Sequence, residues 1–595
     1  MLQKFSVGLL VLVLLQPSGL LLAQNGPGNH RELVNKYYVS PDREPKMSQE
    51  ALIELLRKKV KYVFVLYQEN RSFDSYFGTF PGAEGLFSHP ANQTPGFTQG
   101  LLNTDGTTTT IQPFRIGPSE ACPMSTATVG GVTSAAPCYA ADTDDIDHSH
   151  VRIVAKMDVQ NNVAQMDQFA LVEQAKYIPS GKLLKAKQFG ELAMAYEDCD
   201  TVPLLWDYAD KFVLFDHIFQ QMTGPSTPGN LAIIGAQTGQ TQWALHRDEA
   251  YTGTGGSTKG VPVTNDLDPF WGSALDPTAP PDRMPVANNG KGTANPQINL
   301  TFATLPLTLA GGSLQDVVQS DEDPAGDLAD VQDDIPFISK LKNAAVPFGW
   351  YEEGYDKEPT DAGPVDANGT HASYITHHNG PQYFGYVSNN SQMRMQLHGL
   401  GDFFTAVENS TLPKQGGVFF VKGGFQNLFN LKPVDPDANV QLNFLGDDDH
   451  PAYSDAQISE AMVAEGINKI AASPYWSQSA IIITWDDSEG DYDHVPLPIR
   501  TFGPDNSQIS NGPRVPFLLI SPYARTHYIS QAQGSHSSVV KFIDTLFNLP
   551  PLALLPDELR GRELGKQEFG QDDLGPEDAL TEGIRTCLMV LAHHA

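Results

Sequence analysis

The sequence predicts an α/β protein, a mostly parallel sheet sandwiched by helices, on two observations. Its strand-length runs are almost wholly apolar, as strands covered on both faces are, and they alternate with stretches of helical periodicity. With 595 residues, 40% hydrophobic and 18% charged, the chain can bury a sizeable core, which excludes a miniprotein or a disordered chain. The first element is a helix over 50–56, where Leu52, Leu55 and Leu56 share a face behind Ser48 as N-cap, and a strand over 62–67 follows at once. Further strands are expected over 212–215, 417–421, 480–485 and 516–520, and helices over 455–471 and 537–547. Two stretches rich in Gly, Thr, Pro and Asp, 88–137 and 252–334, are too long for ordinary loops and read as insertions at the rim. No break divides the chain further, so 24–595 reads as one domain with its core over about 60–550 and a tail over 553–595 that carries no readable element.

Lys4 leads into an apolar run, 7–15, which Pro17, Ser18 and Gly19 interrupt before Ala23. That pattern is a Sec-type signal peptide over 1–23, broken too early for a spanning helix. The expectation is a secreted or periplasmic protein with no stable membrane anchor. An excess of 70 acidic over 38 basic residues gives a net charge of −32, which disfavours nucleic acid and anionic lipid as partners. A phosphorylated substrate stays compatible with it, because a metal ion can reverse the field inside one cleft. The four cysteines Cys122, Cys138, Cys199 and Cys587 match no zinc spacing and read either as free thiols or as including a Cys122–Cys138 bridge.

Chemistry is expected where strands end, because open α/β sheets bind ligands beyond the carboxyl ends of their strands. Glu69 and Asn70 follow the strand over 62–67, and Asp486 and Asp487 follow the one over 480–485. Adjacent carboxylates at a buried strand end repel unless a cation joins them, so the pair points to a metal. Ser226, in GPSTPGNL at 224–231, precedes a helix whose first turn accommodates Pro228; there the helix dipole favours a phosphate. Taken singly, each segment also reads as a turn or a cap. Histidines add a fourth signal in DHSH at 147–150, HH at 377–378, DHP at 449–451, DHV at 493–495 and SHSS at 535–538.

Together ENRSFDSYFGTFPG at 69–82, MDQF at 166–169, GPSTPGNL, HHNGPQYF at 377–384, TWDDSEGDYDHV at 484–495 and GPRVPFLLISPYA at 512–524 resemble the phosphoesterase family of bacterial C-type phospholipases and acid phosphatase A. The resemblance implies an alkaline-phosphatase-like three-layer α/β/α core, a bound metal, and phosphomonoesterase or phosphodiesterase activity. It implies Glu69, Asn70, Asp486, Asp487 and Ser226 as metal ligands, with Ser226 also the nucleophile. His148 and His378 are implied as catalytic, and His150, His377, His450, His494 and His536 as lining the substrate site. Two departures stand out: Asp487 replaces the Glu of many relatives, and the nucleophile loop reads PSTPGN where the phospholipase branch has PTFPNH.

The mechanism so implied is in-line attack by Ser226, protonation of the leaving alkoxide by a histidine, and hydrolysis of the phosphoserine by water. An oxygen-only ligand set suits one divalent calcium, magnesium or manganese ion, and nearby histidines admit zinc. Protonated histidines that bind phosphate imply a rate that falls above neutral pH. The histidine-rich set, with His150 where phospholipase relatives carry Trp, favours an acid-phosphatase-like phosphomonoesterase over a phospholipase C. A binding protein on a degenerate hydrolase scaffold is the reading of another class, and the intact set of acids and hydroxyl argues against it.

Overall fold

The computed structural model describes residues 48–118, 127–129, 132–134, 140–253, 259–271, 296–356, 373–497 and 499–578. The expected signal peptide, Cys122, Cys138 and Cys587 lie outside these residues; Cys199 lies within them and is exposed. No helix among the described residues is long and apolar enough to cross a membrane.

Among the described residues, eight strands form the central sheet: β1 (Tyr62–Gln68), β2 (Val213–Phe215), β3 (Phe348–Glu352), β4 (Leu397–Gly399), β5 (Gly417–Lys422), β6 (Ser479–Trp485), β7 (Phe517–Ile520) and β8 (Tyr528–Ser530). Their spatial order is β4-β3-β5-β1-β6-β7-β2-β8. All neighbours run parallel except β7, which is antiparallel to both β6 and β2. The sheet is therefore mixed but dominated by parallel pairs. β3, β4 and β8, which the sequence does not signal, are short and lie toward the two edges.

The helices that frame the sheet and the site are α1 (Gln49–Lys59), α2 (Phe73–Phe77), α3 (His150–Met157), α4 (Phe169–Tyr177), α5 (Leu183–Leu192), α6 (Ser226–Gly235), α7 (Leu400–Glu408), α8 (Ala456–Ala472), α9 (Ser537–Phe547) and α10 (Pro556–Phe569). Ser48 caps α1 by accepting from Ala51 N at 3.3 Å, and Asp455 caps α8 by accepting from Gln457 N and Ile458 N at 2.8 and 2.9 Å. Alternation along β1 assigns the layers. The Phe64 ring meets Phe403 of α7 at 6.0 Å and Leu66 packs beside Gly466 of α8, whereas Tyr67 meets His536, at the start of α9, on the opposite face. Every residue of β1, β5 and β6 is buried, which is why their runs read as continuously apolar.

Two regions depart from their expected place. Residues 296–334, inside the second expected insertion, contribute Leu305, Leu307, Leu309, Leu314 and Val317 to the main core. The start of the tail is also structural: α10 packs against the helix Gln240–Leu245, and its buried Glu558 accepts from Gln237 Nε2 and Ala303 N, both at 3.0 Å. A second apolar cluster joins Leu86 and Leu101 to α3, α4 and α5 and to Tyr492 and Leu497. This subsidiary layer brings α3, with His148 just before it, over the ends of β1 and β6.

Candidate active site

The register of β1 and β6 builds the site. Gln68 stands opposite Trp485, so the two dipeptides that follow, Glu69-Asn70 and Asp486-Asp487, leave the sheet side by side. Asn70 turns with φ of 49°, a left-handed conformation that Asn tolerates, and its N–H donates to Asp486 Oδ1 at 3.1 Å. The same Oδ1 accepts from Asp487 N at 2.8 Å, which fixes the Asp486 carboxylate between the two strand ends. Glu69 is fully buried, with Lys422, the last residue of β5, ion-paired to its Oε1 and His378 Nδ1 at 3.3 Å from it.

Ser226 occupies the first position of α6, one residue further into the helix than the sequence suggests, and its Oγ donates to Asn70 Oδ1 at 3.4 Å. Asn230, one turn on, donates Nδ2 to Ser226 O at 2.9 Å and approaches Asp486 Oδ2 at 3.5 Å, tying the helix to the strand end. Between them Gly229 lies against Asp486: a Cβ there would stand 2.4 Å from Asp486 O. Gly229→Ala must therefore push α6 off the strand end. We expect a stability loss of about 1–3 kcal/mol and a fall in turnover approaching 100-fold, read as Tm and kcat; an unchanged kcat would show that the spacing of α6 is not critical.

Among the histidines, four surround this centre. His148 lies with Nε2 at 3.3 Å from Asn70 Nδ2 and its ring 5.6 Å from that of His450, which in turn stacks 6.4 Å from His378. His377 abuts His378 at 4.4 Å. The other three expected in the substrate site are held by the protein at both ring nitrogens. His150 bonds Thr223 O through Nδ1 and Ser507 Oγ through Nε2 at 3.0 Å. His494 is paired with Asp74 at 2.5 Å and Glu84 at 3.3 Å, beside Arg514, which also holds Asp74 and Asp493. His536 joins the Trp485 carbonyl at 2.8 Å to the Gln221 N–H at 3.3 Å.

Acids that the sequence reading did not single out complete the centre. Glu489 Oε2 accepts from Asn70 Nδ2 at 3.0 Å, and Asp448 Oδ2 stands 3.8 Å from His378 Nδ1. Burial raises Glu69 well above the usual carboxylate range, Asp486 adding to the effect and Lys422 opposing it. Burial also raises Asp487, with Asp486 adding and His148 opposing, and raises Glu489. For His148 burial works against the charge, but Glu489, Asp487 and Asp145 outweigh it and lift the imidazole well above its usual value. Burial pushes His378 well down and His450 to about 4, which favours the neutral imidazole at both.

These donors fit a cation. Glu69 Oε2 and Asp487 Oδ2 are buried without a hydrogen-bond partner among the described residues, and Lys422, His148 and His378 stand against the buried carboxylates of Glu69, Asp448, Asp487 and Glu489. Separately, His148, His450 and Glu489 form a group whose ligand atoms could hold a metal ion.

A model of the Phosphoesterase family matches residues 60–550. A non-hemolytic phospholipase C from Burkholderia pseudomallei (strain K96243) is 20% identical over 516 residues, 82% of this chain and 55% of its own length. Non-specific phospholipase C1 of Arabidopsis thaliana is 33% identical over 124 residues, 18% of this chain and 23% of its own. The chain thus spans about half or less of the length of these curated relatives. Among solved structures, a protein in the alkaline phosphatase superfamily from Vibrio parahaemolyticus is similar with a TM-score of 0.28 at 10% identity, covering 60% of this chain and 64% of that one.

Proposed function

The chain belongs to the Phosphoesterase family, and from that premise and the convergence of Ser226 with Glu69, Asn70, Asp486 and Asp487 we propose that it is a phosphoric ester hydrolase working through a phosphoserine. The observation that carries this reading is the Ser226 hydroxyl at a helix N-terminus, hydrogen-bonded to Asn70, beside a buried carboxylate cluster short of positive charge. Glu69, Asn70, Asp486, Asp487 and Ser226 are the residues that would hold one divalent cation. When bound, that ion supplies positive charge for the serine oxygen and the phosphate oxygens.

The chain's own groups then have distinct tasks. Asn70 Oδ1 orients the Ser226 hydroxyl, and the positive end of α6 favours the negative phosphoryl group beside it. Ser226 Oγ forms a bond to phosphorus as the ester P–O bond breaks, and His148, whose imidazole the surrounding acids keep protonated, gives a proton to the leaving alkoxide. Water then breaks the phosphoserine, releasing phosphate and restoring the hydroxyl. Export through the expected signal peptide belongs to the same reading.

Two ester classes fit. Four histidines around the serine favour a phosphomonoester, whose dianion gains from several donors, and we take this as the first reading. The relatives named as phospholipases C favour a phospholipid phosphodiester. Turnover of p-nitrophenyl phosphate and of phosphatidylcholine, each before and after chelation and metal return, tests both. Chelator-sensitive hydrolysis of the monoester at the higher kcat/KM is expected. A preference for the lipid reverses the ester class, and no turnover of either ester with any divalent ion overturns the hydrolase reading.

A further inference from the structure

The helix that carries Ser226 has a charged occupant at its start. Asp266, half-buried, accepts the Thr227 N–H at 2.9 Å through Oδ1, one residue beyond the attacking hydroxyl. That N–H belongs to the first turn of α6, whose amides and positive dipole end otherwise favour an anion. The fold holds the acid there. Val263 N donates to Thr238 O at 2.7 Å, Tyr383 OH to Leu267 O at 2.5 Å and Gln382 Nε2 to Trp271 O at 2.9 Å, so the segment is clamped before, beside and after Asp266. The same Tyr383 hydroxyl lies 3.3 Å from Thr227 Oγ1, which ties the clamp to the helix.

Capping alone does not call for a charge, since asparagine and serine cap a helix about as well as aspartate. The charge of Asp266 also reaches the site. After burial and Asp486, it is among the like charges that raise Asp487; burial likewise raises Asp268 to about 6, with His377 opposing and Asp266 adding. A carboxylate so placed repels a phosphoryl group in proportion to the charge that group carries. We propose that Asp266 sets the charge selectivity of the site: held on the Thr227 N–H beside the nucleophile, it penalises a doubly charged phosphoryl group against a singly charged one, and so moves preference from phosphomonoesters toward phosphodiesters. This inference rests on the reading of Ser226 as the hydroxyl that accepts phosphate. The histidine donors and Asp266 then pull in opposite directions on one preference.

The test compares the full chain with Asp266→Asn, which keeps a capping oxygen for Thr227 and removes the charge, both in the same excess of Mg2+. Above neutral pH, p-nitrophenyl phosphate is a dianion and bis(p-nitrophenyl) phosphate a monoanion with the same leaving group. Asp266→Asn should raise the ratio of monoester to diester kcat/KM about tenfold and tighten the binding of inorganic phosphate, read by titration calorimetry, to a similar degree. Both gains should shrink between about 0.01 and 1 M salt, as screening demands and as a purely structural role would not. Asp266→Ser, a second neutral cap, repeats the measurement if thermal melting shows the asparagine variant to be unfolded. An unchanged ratio, an equal fall for both esters, or phosphate binding equal to that of wild type overturns the proposal. Turnover of neither ester by wild type would sink the hydrolase reading alone, because the phosphate titration decides the role of Asp266 without turnover.

Discussion

Ser226→Ala is expected to lower kcat by about 10^4-fold or more while leaving the fold intact, because removing the attacking atom of a covalent mechanism leaves only the background supplied by charge and binding. The substitution is mild for structure. It keeps the Cβ and the backbone carbonyl that receives Asn230 Nδ2 at 2.9 Å, and it deletes a single long hydrogen bond, 3.4 Å, to Asn70. Tm should therefore move little. Thr227, the adjacent hydroxyl, provides the control: its Oγ1 is occupied by His377 O at 3.2 Å and Tyr383 OH at 3.3 Å, so Thr227→Ala should retain turnover within about tenfold. Acid quench with a radiolabelled ester should trap phosphate on wild type and Thr227→Ala but not on Ser226→Ala. A Ser226→Ala enzyme within tenfold of wild type would remove serine as the nucleophile.

The centre of the sheet and the acids beside it were legible because burial on both faces writes an unbroken apolar run into β1 and β6, and the polar residues that follow those runs form the candidate site. Sequence could not show that Gln68 lies opposite Trp485, nor that β7 reverses direction between β6 and β2, since register and sense are set by packing between distant segments. Glu489 was hidden among 70 acidic residues; its one local signal is the turn it shares with Gly490, both with positive φ. Lys422 closes a buried strand without any periodic warning and is recognisable only from its pairing with Glu69. The histidines show what a motif leaves out. His150, His494 and His536 stand in motifs as suggestive as that of His148, yet hydrogen-bond geometry commits both ring nitrogens of each to holding loops and strand ends.

Stability should fall steadily as pH rises from about 6.5 to 9, as buried acids outside the catalytic centre lose protons that folding had secured. Burial raises Asp142 to about 9, with Asp455 adding, Asp334 to about 8, Glu460 to about 8 and Glu558 to about 7. His494 moves the same way: burial opposes its charge, but Asp74 raises it to about 9, with Glu84 adding and Arg514 opposing. Each raised group binds its proton in the folded chain and has lost it in the unfolded one across this window. The native state then holds more protons, and the unfolding free energy drops with pH by about 1.4 kcal/mol per unit for each such group. Contributions are complete below the unfolded pKa and vanish above the folded one. His536, pushed down to about 4 by burial, acts only on the acid side, where stability is lost as pH falls from about 6.5. Asp142 isolates the effect. Burial raises its partner Asp455 too, but there the N–H groups of Gln457 and Ile458, accepted at 2.8 and 2.9 Å, and the bond to Asp142 oppose the rise, so the shared proton is assigned to Asp142. Asp142→Asn supplies a permanent donor, and thermal melts should show a higher Tm than wild type at pH 8.5 and a slope against pH flatter by about one proton. A wild-type Tm that rises between pH 6.5 and 9, or an Asp142→Asn slope equal to that of wild type, would mean that these carboxyls ionise freely inside the fold.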